Sequence, residues 1–219
     1  MDPGFWAERW QTQQIGFHQN DVHQDLLAYG DGWLAGGPRV VLVPLCGKSV
    51  DLRWLAARGH TVIGVELIEA AVVAFFAEAG ASPVVEPLGP FLRWHDPLLP
   101  GLSVLQGDCL RIAELRAQLP VIDRVWDRAA LVALDAPRRA EYAAALAALA
   151  PGASVLLNVF DYGEDCGQGP PHSVQDAELD RLYPGRPRAL LHLRTEPAGP
   201  GLAARGVAAL HTRTVQFSL

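Results

Sequence analysis

Glu66 closes the apolar run "TVIGVEL", 19 residues beyond Gly47 in "VLVPLCGKSVDL". A carboxylate at the end of a buried strand can accept hydrogen bonds from both hydroxyls of a ribose. The plainer alternative is a surface glutamate that opens a helix and gains a little from its dipole. The flanking "TVIGV" places Glu66 at the carboxyl edge of a sheet and favours the ribose reading. Asp108 ends "LSVLQGD", where a short acid can meet an adenine amino group or cap the next helix. The residues leave both roles open. Asp127 and Arg128 end "VIDRVWDR", the place for a group facing the reacting end of a cofactor. The planar fork of Arg128 suits a carboxylate or another anionic substrate. A structural ion pair with Asp127 or another acid competes with that reading.

"GKS" raises the question of a phosphate loop, which needs Gly, four residues, then Gly-Lys-Ser. The first glycine would have to stand at Leu42, in mid-strand. GxGxxG is also missing, since the turn holds one glycine. A single glycine and an acid, without a diphosphate cradle, suit a mononucleoside cofactor such as S-adenosylmethionine better than NAD. His18 and His23 flank Asp21, and His172 lies far along the chain. No HExxH motif or Cys/His cluster has ligand spacing, so no metal is expected. No GxSxG elbow supports a hydrolase.

Positioning these groups requires alternating strands and helices. "RVVLVP" reads as a strand buried on both faces. The helix after it has Ser49 as its expected N-cap and Gly59 as its stop. "TVIGVEL" is a second strand, followed by the helix "IEAAVVAFFAEAG" closed by Gly80. The proline-rich "ASPVVEPLGPFLRWHDPLLPG" reads as insertions or short edge segments. "LSVLQGD", "VIDRVWDR" and "ASVLLNVFDY" are the third to fifth strands, and "APRRAEYAAALAALAPG" is a strong helix. "SVQDAELDRLY" is a capped helix, and "ALLHLR" and "VAALHTRTVQFSL" pair antiparallel. The expectation is one doubly wound α/β domain over 1–219, Rossmann-like, with about seven mostly parallel strands and helices on both faces. Residues 1–35 form a helical lid in which Trp6 and Trp10 share a face. Such a pair commonly packs, and here it can also fold over the sheet edge and exclude water.

The 219 residues are half apolar with 19% charge, which is globular composition. A net charge of -6 argues against nucleic acid or an anionic membrane as partner. Cys46, Cys109 and Cys166 are odd in number and widely spaced, so they read as free thiols of a reducing compartment. No export signal and no apolar span are visible in the sequence. A cytoplasmic protein is expected.

The chain resembles the thiopurine S-methyltransferase family, in particular its bacterial branch. The resemblance rests on "FWAERW…QIGFHQND", "VLVPLCGKSVDLRWLAARGHTVIGVEL", "WDRAALVAL" and "GPPHSVQDAELDRLY", and it covers most of the chain. It implies an enzyme that binds S-adenosylmethionine through Trp6, Trp10, Leu45, Gly47 and Glu66. Asp108 and Cys109 are implied near the adenine, and Arg128 by the methionine end and the substrate. Phe17, Pro170, Pro171 and His172 would wall an acceptor pocket. The implied reaction moves a methyl group to an aromatic or heterocyclic thiol, leaving S-adenosylhomocysteine, in a monomer. Selenium or tellurium compounds are alternative acceptors, and a non-catalytic cofactor sensor is the alternative of another class. The chain departs from the family at His172, where relatives usually carry an aromatic. Its tail "EPAGPGLAARGVAAL" is poor in charge, with Arg205 as the main basic residue.

Overall fold

A computed structural model describes residues 3–163 and 169–219; Cys166 lies outside them. The chain begins with two helices, α1 (Pro3–Gln11) and α2 (Gln24–Trp33), and then enters the first strand, β1 (Val40–Pro44). Next come α3 (Asp51–Ala56), β2 (Thr61–Glu66) and α4 (Glu69–Glu78). A hairpin follows, β3 (Val84–Leu88) with β4 (Phe91–His95), and then β5 (Leu102–Gln106). A 3-10 helix at Cys109–Leu115 leads to β6 (Arg124–Arg128), a second 3-10 turn at Leu131–Ala133 and α5 (Ala136–Leu149). The last elements are β7 (Ser154–Asp161), α6 (Asp176–Leu182), β8 (Ala189–Pro197), α7 (Pro200–Ala203) and β9 (Ala209–Ser218).

Among the described residues the strands form one nine-stranded sheet in the order β3-β4-β5-β2-β1-β6-β7-β9-β8. The five central strands, β5 to β7 in that order, are parallel. The β3–β4 hairpin adds antiparallel to β5, and β9 and β8 add antiparallel to β7. From β1 the chain winds first toward β2 and β5, then returns to β6 and β7 on the other side. That reversal is a topological switch point, where α/β sheets open a crevice at the carboxyl ends of their strands.

Alternation along each strand divides the core. Val41 and Val43 of β1 pack with Leu52, Phe75, Phe76 and Trp126 on one face of the sheet. Leu42 packs with Ile112, Tyr142 and Leu146 on the other. Both faces are covered, which is why β1 and β2 read as unbroken apolar runs rather than as alternating ones.

The sheet has nine strands rather than about seven, because the proline-rich stretch folds as the β3–β4 hairpin at the sheet's edge. Pro87 is tolerated there, on the outermost strand, where its missing N–H breaks no interior ladder. Ser49 is displaced by one residue from its expected role. Val50 occupies the cap of α3, and Ser49 Oγ accepts from Asp51 N–H at 3.2 Å.

Candidate active site

Past Pro44 the backbone turns sharply, with Leu45 at φ +49 and Gly47 at φ +54. For a branched side chain such as leucine that conformation is strained, a common feature of functional turns. The turn folds down onto β2 because position 64 is glycine. A Cβ there would lie 2.6 Å from Leu52 and 2.9 Å from Cys46 Sγ. Glu66, 8% exposed, fastens the turn from below. Its Oε2 accepts from Gly47 N–H at 2.8 Å, and its Oε1 accepts from Ile68 N–H at 2.7 Å. A carboxylate offers about four acceptor positions, so acceptor capacity remains for a hydroxyl donor. Burial pushes the Glu66 pKa up, and the N–H groups of Ile68 and Gly47 work against that rise.

Trp10 roofs the turn. It is buried against Ile68 and Ala71, and a Cβ at Gly47 would stand 3.2 Å from its ring. Trp6 and Trp10 both meet Phe17 edge-on, with ring centroids 5.4 and 6.0 Å apart. Phe17 itself stays 45% exposed. The tryptophan pair is therefore packed, and packed over the crevice.

Arg128, at the end of β6, donates from Nη2 to the Phe17 carbonyl at 3.3 Å. Desolvation lowers its pKa, and the buried Asp51 carboxylate opposes that shift. Asp51 also accepts from His23 N–H at 2.9 Å and from Trp126 Nε1 at 2.8 Å, so it anchors the segment that leads from Phe17 into α2. Asp127 is not the partner of Arg128. It points into the core, where it accepts from Tyr142 Oη at 2.6 Å and Ala130 N–H at 2.9 Å. Burial raises its pKa to about 6. These bonds brace a second strained turn, with Ala129 at φ +59. Asp108 caps the 3-10 helix, accepting from Leu110 N–H at 3.0 Å. Cys109 lies buried against the Leu45 backbone, and burial pushes its thiol well up.

Pro170, Pro171 and His172 reach the same edge through His172 N–H, which donates to the Val132 carbonyl at 2.7 Å. Arg205, beyond α7, donates from Nη2 to the Pro170 carbonyl at 3.3 Å. Among the described residues its Nη1 is buried without a hydrogen-bond partner. Arg205, the main basic residue of the charge-poor tail, meets Pro170 only through the tertiary fold, which nothing local in the sequence shows. His23 Nδ1 accepts from Asp25 N–H at 3.2 Å, beside the Trp126 ring. Among the described residues no group of three or more His, Cys, Asp or Glu could hold a metal ion. No helix among them is long and apolar enough to cross a membrane. A cavity of about 380 Å³ between β4, β5 and the stretch after the 3-10 helix, lined by Thr61, His95 and Gln118, includes none of these site residues.

The model of the family described as thiopurine S-methyltransferase matches residues 1–216. The chain belongs to that family. A thiopurine S-methyltransferase of Xanthobacter autotrophicus is 41% identical over 213 residues, spanning 96% of this chain and 97% of the relative. One from Pseudomonas paraeruginosa is 41% identical over 184 residues, with 84% and 82% coverage. The fold is shared more widely. The 1,6-didemethyltoxoflavin-N1-methyltransferase of Burkholderia thailandensis, solved with S-adenosylhomocysteine, superposes with TM-score 0.64 at 15% identity, covering 99% of this chain and 87% of that one. The magnesium protoporphyrin IX methyltransferase of Synechocystis gives TM-score 0.60 at 14% identity, with 100% and 97% coverage. The protein is a methyltransferase, and S-adenosyl-L-methionine is its methyl donor. The crevice fits that donor. Glu66 retains acceptor capacity for a ribose hydroxyl, and Gly47 leaves no side chain between the turn and the Trp10 ring.

Proposed function

We propose that the protein transfers the donor's methyl group to a small aromatic or heterocyclic thiol. The observation that carries this reading is the assembly of Glu66, the Gly47 turn, Trp10, Phe17 and Arg128 along one crevice. The relatives from Xanthobacter and Pseudomonas carry the name of a thiopurine methyltransferase.

Bound S-adenosylmethionine supplies an electrophilic methyl group on a sulfonium. Glu66 would accept a ribose hydroxyl, with Leu45 and Gly47 shaping the backbone beneath, and Asp108 and Cys109 would flank the adenine. Trp6 and Trp10, in the N-terminal lid of the 1–219 domain, keep water from the reacting centre. Arg128 holds the thiolate in line with the methyl carbon. The thiolate's electron pair would form the new S–C bond, and the pair of the bond that breaks would remain with the donor's sulfur. A thiolate arrives deprotonated, so alignment contributes more than proton transfer. Phe17, Pro170, Pro171 and His172 sandwich the acceptor ring, and Arg205 Nη1 offers a second donor to an anionic substituent.

The test is initial-rate methyl transfer to an aromatic thiol and to its hydroxyl and amine analogues. Turnover of the thiol at least about a hundredfold faster than of either analogue is expected. Faster methylation of the amine or hydroxyl would overturn the thiol assignment and leave the methyltransferase intact.

A further inference from the structure

Pro170 and Pro171 lack amide protons, so the segment 170–174 cannot be held by an ordinary ladder. Two of its amides are tied, His172 to the Val132 carbonyl at 2.7 Å and Val174 to the Phe160 carbonyl at 2.8 Å. Its carbonyls are gripped instead by side chains from four parts of the chain. Arg205 reaches Pro170, and Tyr162 Oη donates to Pro171 at 3.0 Å. Arg139 of α5 donates to Ser173 at 3.1 Å, and Arg213 of β9 donates to Val174 at 2.6 Å.

The two arginines on Ser173 and Val174 are buried, at 1% and 7% exposure, and their charges are matched locally. Arg139 pairs with Glu178 and also donates to the Leu134 carbonyl at 2.9 Å. Arg213 lies 3.5 Å from Asp161 and 2.5 Å from Asp176. An anionic substrate therefore gains little from either guanidinium. What they deliver is direction, as rigid forks aimed at backbone carbonyls. Ser173 Oγ completes the brace, accepting from Tyr162 N–H at 3.0 Å.

We propose that Arg139 and Arg213 are positioning residues for the acceptor wall, fixing Pro170, Pro171 and His172 at the separation from Arg128 that decides which thiols fit. The inference rests on the thiol-transfer reading above for its substrate, and on the hydrogen bonds to Ser173 and Val174 for its geometry.

Arg213→Met, with Arg213→Lys as the conservative partner, tests it in the full chain. Three quantities are read: affinity for S-adenosylhomocysteine, KM and kcat for an aromatic and a small aliphatic thiol, and hydrogen exchange at the His172 and Val174 amides. For Arg213→Met, cofactor affinity should stay within about twofold while KM for the aromatic thiol rises about tenfold and its preference over the small thiol shrinks. The two amides should exchange about tenfold faster, with β2 amides unmoved. Arg213→Lys should recover part of both effects, and if the methionine variant does not fold, the lysine variant decides with smaller shifts of the same kind. Cofactor affinity falling in step with acceptor KM, or an unchanged thiol preference and unchanged exchange, would overturn the proposal. Should the wild type methylate no thiol, the substrate reading fails alone. The exchange rates then still decide whether Arg213 holds the wall.

Discussion

Buried Asp127 marks the difference between a residue's place in the sequence and its work. It stands beside Arg128 and ends the same strand, yet its side chain turns inward to Tyr142 and the Ala130 amide. Arg128 is left to face the crevice. The same burial has a pH signature. With a folded-state pKa raised from 3.8 to about 6, the group's contribution to stability is fully present below pH 3.8 and is lost as pH rises through about 6. Melting curves of wild type and Asp127→Asn between pH 4 and 7 should show it. The wild-type Tm is expected to fall relative to the variant across that window, by several degrees. Parallel Tm profiles would remove Asp127 as a titrating group. Glu66, Arg128 and the tryptophans stand out in the sequence because their strands and spacing are local. Asp51 and Arg205 do not, since their partners lie 28, 75 and 35 positions away in the chain.

Helix α1 is tied to the rest mainly through Trp10, packed on Ile68 and Ala71 at the start of α4. A short terminal helix held on one face belongs to the low-stability end of a fold. Trp10→Ala should therefore loosen α1 and the Gly47 turn, weakening S-adenosylhomocysteine binding by about ten- to a hundredfold. The main unfolding transition should move much less than in Trp126→Ala, whose ring is fully buried under the sheet. Equal losses of Tm in the two variants would make α1 part of the global core. Helices and central strands were readable from apolar runs bounded by glycine, including Gly59 and Gly80, which both adopt positive φ. The β3–β4 hairpin was readable only as insertions or short edge segments. Proline at 83, 87 and 90 removes the alternation that marks a strand, and only pairing with β5 restores order to it.

Across the molecule, the parallel order β5-β2-β1-β6-β7 reverses direction at β1, and alternating strands and helices already pointed to a ligand crevice at the carboxyl ends of such strands. The sequence also carried the family through its turn and wall motifs. What it withheld was the network that holds the wall. Arg139 and Arg213 look like ordinary surface cations of a helix and a strand until the sheet closes and both lie buried against Ser173 and Val174. In the proposed site Glu66 serves the turn and the donor with one carboxylate. Calorimetric titration of wild type and Glu66→Gln with S-adenosylhomocysteine tests that most directly. Tight one-to-one binding to the wild type is expected, with a loss of about tenfold or more in the variant and the fold retained. Equal affinity in both proteins would contradict it, and would move the donor site away from the end of β2.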